Sequence, residues 1–195
     1  MITIISGFGR CGSSLVMQML EAGGMQVSGE YPAFEDAHGS MMRADQLTAD
    51  VMWAIDGRAV KLLDPHLGTI PKGPEYRVIW LTRNKREQAR SQVKFLNTML
   101  GLHEGNLTVL KFVQSYIDDE PLAMIHLRAV CLAMLFLPFE GLLINPRGAA
   151  MDIKHYIGDD TLDVDAMAKA VRPRSPLCAD GMDMELTLIR ERRAA

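Results

Sequence analysis

The sequence predicts an α/β fold in which helices cover both faces of a mostly parallel central sheet, giving three layers in the order helix, sheet, helix. Short apolar runs rich in Val, Ile and Leu alternate along the chain with segments of helical periodicity. These runs are continuously apolar, which is typical of parallel strands that are buried on both faces. Both observations favour a doubly wound sheet.

The same patterns locate the individual elements. Strands are predicted at residues 3–6, 59–63, 77–82 and 141–145. Helices are predicted at residues 12–22, 48–55, 85–99, 107–116, 122–135 and 163–171. Ser13 and Asn84 are typical helix-start residues, and Gly101 is a typical stop. Ligands of such folds bind at the carboxyl ends of the strands, so we expect the site in the segments that follow the first three strands.

Composition limits the classes of function. The chain has 195 residues, which predicts a single domain over 1–195, and its formal net charge is −3. That charge gives no general attraction to nucleic acid or to an acidic membrane, so we expect partners of neither class. The three cysteines are widely spaced and form no CxxC pair, so neither a disulfide framework nor a metal site is predicted. The cysteines and the lack of a signal-peptide pattern indicate a reducing, cytoplasmic location.

A glycine-rich loop follows the first predicted strand and leads directly into an apolar helix. Gly7 and Gly12 have the G-x-x-x-x-G spacing of a loop that binds a phosphate-like anion. Glycines let the backbone curl so that several N–H groups point at one anion, and the helix start adds its positive dipole. We therefore predict a P-loop-type anion site with the members Gly9, Arg10, Cys11, Gly12, Ser13 and Ser14. The alternative is a tight strand–helix turn that binds no ligand.

The loop departs at one position from the loops that bind nucleoside triphosphates. Those loops have Lys and then Ser or Thr after the second glycine. Here Ser13 takes the place of the lysine, and Ser14 follows it. The nearest cation is Arg10, inside the loop, whose planar fork of donors suits an oxyanion. The difference counts against a nucleoside triphosphate as the ligand.

A second group of basic residues begins at the end of the predicted strand 77–82. Arg83 follows the strand, and the next predicted helix contains Arg90 and Ser91. These three side chains can bind a second phosphate near the same edge of the sheet. The alternative is a solvated basic helix face, which is common. Its position at the strand end favours Arg83 over the other basic residues.

Taken together, the two motifs resemble those of the P-loop sulfotransferases, which use 3′-phosphoadenosine 5′-phosphosulfate as the sulfuryl donor. Residues 10–14, Arg-Cys-Gly-Ser-Ser, are similar to the family's loop for the 5′-phosphosulfate. Arg83 and Ser91 have the spacing of the family's residues for the 3′-phosphate. The resemblance covers residues 1 to about 175, except for about 100–140. It implies sulfuryl transfer to a hydroxyl or amine of a small-molecule or carbohydrate-like acceptor, release of 3′,5′-bisphosphoadenosine, and no requirement for a metal.

The resemblance also implies groups that stabilise the leaving phosphate. Cationic and N–H donors must hold the negative charge that develops there. We assign this role to Arg10, to the loop around residues 12–14 and to Lys61, which lies in a predicted strand whose end faces the same crevice. The family's catalytic histidine would stand two residues later, where this sequence has Leu63. A different residue must then act as the general base.

Three residues are candidates for the base that takes the proton of the acceptor. Asp64 and His66 follow the strand that contains Lys61, and Glu30 follows a strand-like segment earlier in the chain. Gly29-Glu30 is similar to a Gly-Glu pair in other branches of the family. We therefore favour Glu30 as the base.

Two other functions remain open. One is a P-loop kinase with a degenerate loop, in which Asp64 holds Mg²⁺, although Ser13 replaces the lysine that a kinase loop requires. The other is a non-catalytic nucleotide-binding module, which the missing histidine at Leu63 would suit.

The acceptor pocket is expected between the predicted loops 31–42 and 101–121. Loops do not reveal the acceptor, and the sequence does not predict an oligomeric state.

Overall fold

The computed structural model describes residues 1–34, 47–131 and 133–171. Within these ranges the centre of the fold is a four-stranded parallel sheet with the order β2-β1-β3-β4. The strands are β1 (Ile2–Gly7), β2 (Ala59–Leu63), β3 (Tyr76–Thr82) and β4 (Met134–Pro138). All six residues of β1 are buried, as expected for a central strand that is covered on both faces.

Seven α-helices of the described residues surround the sheet. They are α1 (Ser13–Ala22), α2 (Ala49–Ala54), α3 (Lys85–Leu100), α4 (Asn106–Arg128), α5 (Phe139–Ile144), α6 (Pro146–Ile157) and α7 (Val164–Ala170). A short 3₁₀ helix (Pro65–Leu67) follows β2. The predicted cap of α3 is confirmed, because the side chain of Asn84 accepts from the backbone N–H groups of Arg86 and Glu87, each at 3.1 Å. The predicted stop is confirmed as well, since Gly101 has a φ of 65°.

Two hydrophobic cores lie on opposite faces of the sheet. Ile4 and Trp80 point into one core, which α3 and α4 cover. Ile5 and Ile79 point into the other core, which α1, α6 and α7 cover. Successive residues of a strand point to opposite faces, so continuous apolar strands feed both cores at once. The predicted three-layer α/β architecture with a parallel sheet is confirmed.

The sequence prediction was wrong around the fourth strand. Residues 141–144 belong to α5, and the fourth strand is β4, which begins inside the helix predicted at 122–135. The helices predicted at 107–116 and 122–135 are one helix, α4, which continues through Pro121. It also replaces most of the loop expected at 101–121. A short apolar run suits a buried helix and a buried strand equally well, so periodicity alone could not separate them.

The parallel arrangement collects the predicted motifs at one edge of the sheet. Gly7 lies opposite Leu63 at the ends of β1 and β2, and Thr82 lies opposite Pro138 at the ends of β3 and β4. The segments that follow these four strands therefore meet at the carboxyl edge, where ligands of such sheets bind.

None of the helices in the described ranges has the length and hydropathy needed to cross a bilayer.

Candidate functional site

The glycine-rich loop connects the carboxyl end of β1 to the first turn of α1. The N–H of Cys11 donates to the carbonyl of Phe8 (3.1 Å), and both Arg10 and Gly12 have positive φ angles, 67° and 104°. A β-carbon on Gly12 would lie 2.5 Å from Cδ2 of Phe139, so both the backbone angle and the space require glycine. Gly12 is also the N-cap of α1 and has no side chain to cap it. The N–H groups of that first turn are therefore suited to bind an anion.

Helix α3 holds this loop from outside through Gln88. The side chain of Gln88 is almost fully buried, and its Nε2 donates to the carbonyls of Phe8 (3.1 Å) and Gly9 (3.0 Å). These bonds use carbonyl oxygens, so they fix the loop without occupying its N–H donors. Gln88 was not predicted as a site residue, because a glutamine inside a polar helix carries no local signal of a distant partner.

Arg10 and Ser91, which the sequence analysis assigned to two different phosphates, are in contact. Nε of Arg10 donates to Oγ of Ser91 across 3.3 Å. The guanidinium of Arg10 lies over the ring of Phe95, 5.1 Å from its centroid, on the next turn of α3. The cation of the loop thus lies along α3, beside the predicted site for the second phosphate.

Arg83 completes this junction from the end of β3. Its Nη1 donates to the carbonyl of Arg10 (3.0 Å), and its guanidinium lies 4.4 Å from the ring centroid of Phe139. Phe139 follows β4, so it forms a wall shared by Gly12 and Arg83. Phe139 was not predicted as a site residue, because the fourth strand was predicted at 141–145 and not before Phe139. Correct placement of β4 would have put Phe139 at the carboxyl edge with the other site residues.

The side chain of Arg90 lies on a different side of α3 from that of its neighbour Ser91. It lines an open groove of about 580 Å³ between α3 and α4, together with Lys94 and Asn97. The residues of α3 that contact the loop, Gln88 and Ser91, lie on the other side of that helix. Of the basic residues suggested for the second phosphate, the structure brings Arg83 to the loop and turns Arg90 toward the groove.

Lys61 and Ser14 meet at one backbone carbonyl. Lys61 is buried in β2, with 6% of its surface exposed, and its Nζ donates to the carbonyl of Ala33 (2.6 Å). Oγ of Ser14, in the first turn of α1, donates to the same carbonyl (3.2 Å). Lys61 lies opposite Ile5 of β1 and therefore on the sheet face that α1 covers. The structure thus brings the predicted lysine to the helix end of the anion loop.

Glu30 begins the turn that carries this carbonyl. The N–H of Phe34 donates to the carbonyl of Glu30 (2.7 Å), and Gln18 of α1 fixes the same turn through the carbonyl of Pro32 (3.0 Å). The side chain of Glu30 is exposed. The residue thus lies one short turn from the Ala33 carbonyl at which Lys61 and Ser14 meet.

His66 lies on the opposite side of the sheet from Lys61. Its ring is 5.5 Å from the ring of Phe8, and its Nε2 is 3.7 Å from Oδ2 of Asp119 on α4. Asp64 lies between the two sides, and its N–H donates to the carbonyl of Gly7 (3.1 Å). The structure therefore brings together Glu30 and Lys61, and it separates His66 from both.

Cys11 is buried in the core beneath the loop, with 1% of its surface exposed. Burial raises the pKa of its thiol to about 11, because the thiolate would be poorly solvated there. Cys11 is therefore a neutral thiol at physiological pH, and its place in the loop is structural. It takes up the space beside Gly7, where an added β-carbon would lie 2.7 Å from its sulfur.

Comparison with known proteins finds similarity at the level of the fold. The model resembles a retinol dehydratase in complex with androsterone and the inactive cofactor PAP, with a TM-score of 0.54 and 14% identity over 87% of this chain and 62% of that one. It also resembles the mouse sulfotransferase SULT7A1 complexed with PAP, with a TM-score of 0.57 and 16% identity over 87% and 61%. The chain has the sulfotransferase fold.

A third structure with this fold is the sulfotransferase domain of the olefin synthase from Synechococcus PCC 7002. Its TM-score is 0.55 and its identity 16%, over 92% of this chain and 79% of that domain. The chain spans about three fifths of the length of the first two structures. No protein-family model matches the sequence, and no curated protein matches it.

Proposed function

We propose that this protein is a sulfotransferase that moves a sulfuryl group from 3′-phosphoadenosine 5′-phosphosulfate to a hydroxyl or amine of a small-molecule acceptor. One observation carries the proposal. Arg83 donates to the carbonyl of Arg10, and the side chain of Arg10 donates to Ser91, so the two motifs predicted to bind anions are in contact. A donor with phosphates at both the 3′ and the 5′ position of its ribose needs two such motifs side by side.

The donor groups of the site fit such a nucleotide. The N–H groups at the start of α1 and the hydroxyls of Ser13 and Ser14 suit the 5′-phosphosulfate. Arg83 and Ser91 suit the 3′-phosphate, because a guanidinium and a hydroxyl both donate to phosphate oxygens. Glycine at position 12 lets the loop pack closely against Phe139, since a β-carbon there would lie 2.5 Å from Cδ2 of that ring.

Sulfuryl transfer requires the acceptor to be aligned with the sulfur and the departing phosphate to be stabilised. Arg10 and Lys61 supply positive charge for that phosphate from the two sides of the loop. Lys61 is well suited to this role because it is buried, and charge interactions are stronger where water is excluded. Lys61 and Ser14 both donate to the carbonyl of Ala33, so the lysine stands beside the first turn of α1.

Glu30 is the proposed general base. Its turn is fixed to α1 by Gln18 and to β2 by Lys61, and its side chain is exposed, so an acceptor can reach its carboxylate. A carboxylate in that position can accept the proton of the attacking hydroxyl or amine. His66 is a weaker candidate, because it lies on the far side of Phe8.

We also propose that the protein is cytoplasmic. Cys11 and Cys131 are both free and buried, which suits a reducing compartment. We also propose that the chain acts as one domain, since both anion motifs and the base lie around a single sheet edge.

Calorimetric titration tests the donor assignment. The purified protein is titrated without metal with 3′,5′-bisphosphoadenosine, and separately with ATP and Mg²⁺. Tight binding of the bisphosphate and weak binding of ATP support the proposal, whereas the reverse result supports a kinase. Release of 3′,5′-bisphosphoadenosine is then measured with a panel of hydroxyl and amine acceptors. Donor binding without any transfer would identify a nucleotide-binding module instead.

A further inference from the structure

The outer face of α4 carries a stripe of exposed apolar side chains. Leu107, Leu110, Ile117 and Ile125 are 69%, 57%, 48% and 63% exposed, and Leu122 beside them is 44% exposed. The first four follow one another at intervals of three, seven and eight residues, so they lie along one side of the helix. Single exposed leucines are common, but a stripe that continues for five turns of one helix marks a contact surface.

The fold itself does not need this stripe. The opposite face of α4 is packed on the sheet through Val109, Tyr116, Ala123 and Leu127, all of which are buried. The same helix is further held by Glu120, whose carboxylate accepts from Nζ of Lys85 at 2.6 Å. The helix is therefore anchored by its inner face, and within residues 1–34, 47–131 and 133–171 its outer face is exposed.

We propose that the outer face of α4 binds a second copy of this chain in an antiparallel pair of helices. Lys111 and Asp118 stand seven residues apart along one edge of the stripe and carry opposite charges. A two-fold axis between residues 114 and 115 of the helix places Lys111 of each copy close to the partner's Asp118, so the attraction occurs twice. A parallel pair would instead place like charges opposite each other.

The charges around the stripe also argue against a lipid surface as the partner. Helices that lie on membranes carry mostly Lys and Arg on the edges of their apolar face. Here the edge carries Asp118 and Gln114 as well as Lys111, and the whole chain has a net charge of −3. Mixed charges of this kind select a protein helix of complementary pattern, and the antiparallel copy of α4 has that pattern.

The size of the stripe predicts a reversible dimer. The five apolar side chains expose roughly 500 Å² on each copy, whereas a standard stable interface buries about 800 Å² per partner. We therefore expect a dissociation constant in the micromolar range, on the order of 1 to 100 µM. The association involves no nucleotide, so it can fail or succeed independently of the proposed donor site.

Sedimentation equilibrium of the full chain without nucleotide, from about 1 to 300 µM, tests the proposal. The wild type should change from monomer to dimer within this range. Ile117→Lys, which puts like charges together near the axis, should raise the dissociation constant at least tenfold. The matched control is Ile144→Lys, at an 83% exposed position on α5, and it should leave the constant unchanged. Circular dichroism confirms that both variants are folded.

A charge exchange tests the antiparallel arrangement. Lys111→Asp and Asp118→Lys should each weaken the dimer, and the double variant should restore it. A wild type that stays monomeric at 300 µM overturns the proposal. So does a control variant that weakens association as much as Ile117→Lys, or a double variant that is weaker than both single ones.

Discussion

Nε of Arg10 donates to Oγ of Ser91 across 3.3 Å, although 81 residues separate them in the sequence. Arg83 donates to the carbonyl of the same arginine, so a single residue of the loop is held at its backbone and at its side chain by the two residues proposed to bind the 3′-phosphate. If the proposed 3′-phosphate site is correct, a nucleotide bound there contacts two residues that also hold Arg10.

Arg83→Ala should weaken binding of 3′,5′-bisphosphoadenosine by about 10- to 100-fold, the equivalent of one charge-assisted hydrogen bond, or roughly 1.5–3 kcal/mol. Binding of adenosine 5′-phosphate, which lacks the 3′-phosphate, should change much less. Calorimetry gives both affinities. Arg90→Ala is the matched control, since Arg90 lies on α3 next to Ser91 but lines the outer groove. If Arg83→Ala weakens the binding of both nucleotides equally, Arg83 does not bind the 3′-phosphate.

Arg10→Ala should lower kcat more than it lowers the affinity for 3′,5′-bisphosphoadenosine. A group that stabilises the departing phosphate acts mainly in the transition state, so its removal appears in kcat. Steady-state kinetics and calorimetry on the same preparation separate the two effects. Arg10→Lys, which keeps the charge, should recover part of kcat. A loss of affinity as large as the loss of kcat would make Arg10 a simple binding residue.

Glu30→Gln should reduce transfer by about 100-fold or more and leave donor affinity within about twofold, because a base acts on the acceptor and not on the nucleotide. The amide keeps the shape of the side chain, so the turn before Phe34 should persist. Glu21→Gln, at an exposed position of α1, serves as the control. If turnover of the Glu30 variant is near normal, the base is Asp64 or His66, and the corresponding variants identify it.

Tyr156→Phe should lower the free energy of unfolding by about 1–3 kcal/mol. Its hydroxyl accepts from the N–H of Val78 (3.1 Å) and donates to the carbonyl of Ala133 (2.8 Å), so it connects β3 to the residue before β4. Removal of the hydroxyl leaves both backbone groups without that partner. Denaturant unfolding measures the change. Tyr31→Phe, at a position that is 60% exposed, should have almost no effect.

Alkaline pH should destabilise the protein through Cys11. Its thiol has a pKa of about 11 in the folded chain against 9.0 for an ordinary cysteine, so the unfolded chain loses the proton first as pH rises. The stabilisation is complete below pH 9 and is lost as pH rises toward 11, with a magnitude on the order of 2 to 3 kcal/mol. Cys11→Ala removes this contribution. Between pH 9 and 11, the free energy of unfolding of Cys11→Ala should therefore fall less steeply than that of the wild type. If the two fall equally steeply, burial does not raise the pKa of Cys11.

The parts of the fold that depend on neighbouring residues could be predicted from the sequence. The glycine loop, the cap at Asn84 and the stop at Gly101 are each specified by a few adjacent residues with defined backbone requirements. The placement of Arg83 at the carboxyl edge followed from its position after an apolar strand, since parallel strands end together. These predictions needed no knowledge of distant contacts.

The parts that depend on packing could not be predicted in this way. The run from Cys131 to Ile144 is apolar apart from the segment around Glu140, so it did not show where α4 ends and β4 begins. Phe139 was missed for that reason, and Gln88 because its partners are about 80 residues away. Similarly, nothing near His66 in the sequence reveals that it lies across the sheet from Lys61.

The central position of β1 has a consequence for how the protein folds as it is synthesised. β1 pairs with β2 on one side and with β3 on the other, and both partners come later in the chain. The first strand emerges from the ribosome with both edges unpaired, and it stays so until residues 59–63 and 76–82 have followed. An apolar strand in that state can pair with other chains. The nascent protein should therefore depend on chaperones most in the interval between synthesis of β1 and synthesis of β3.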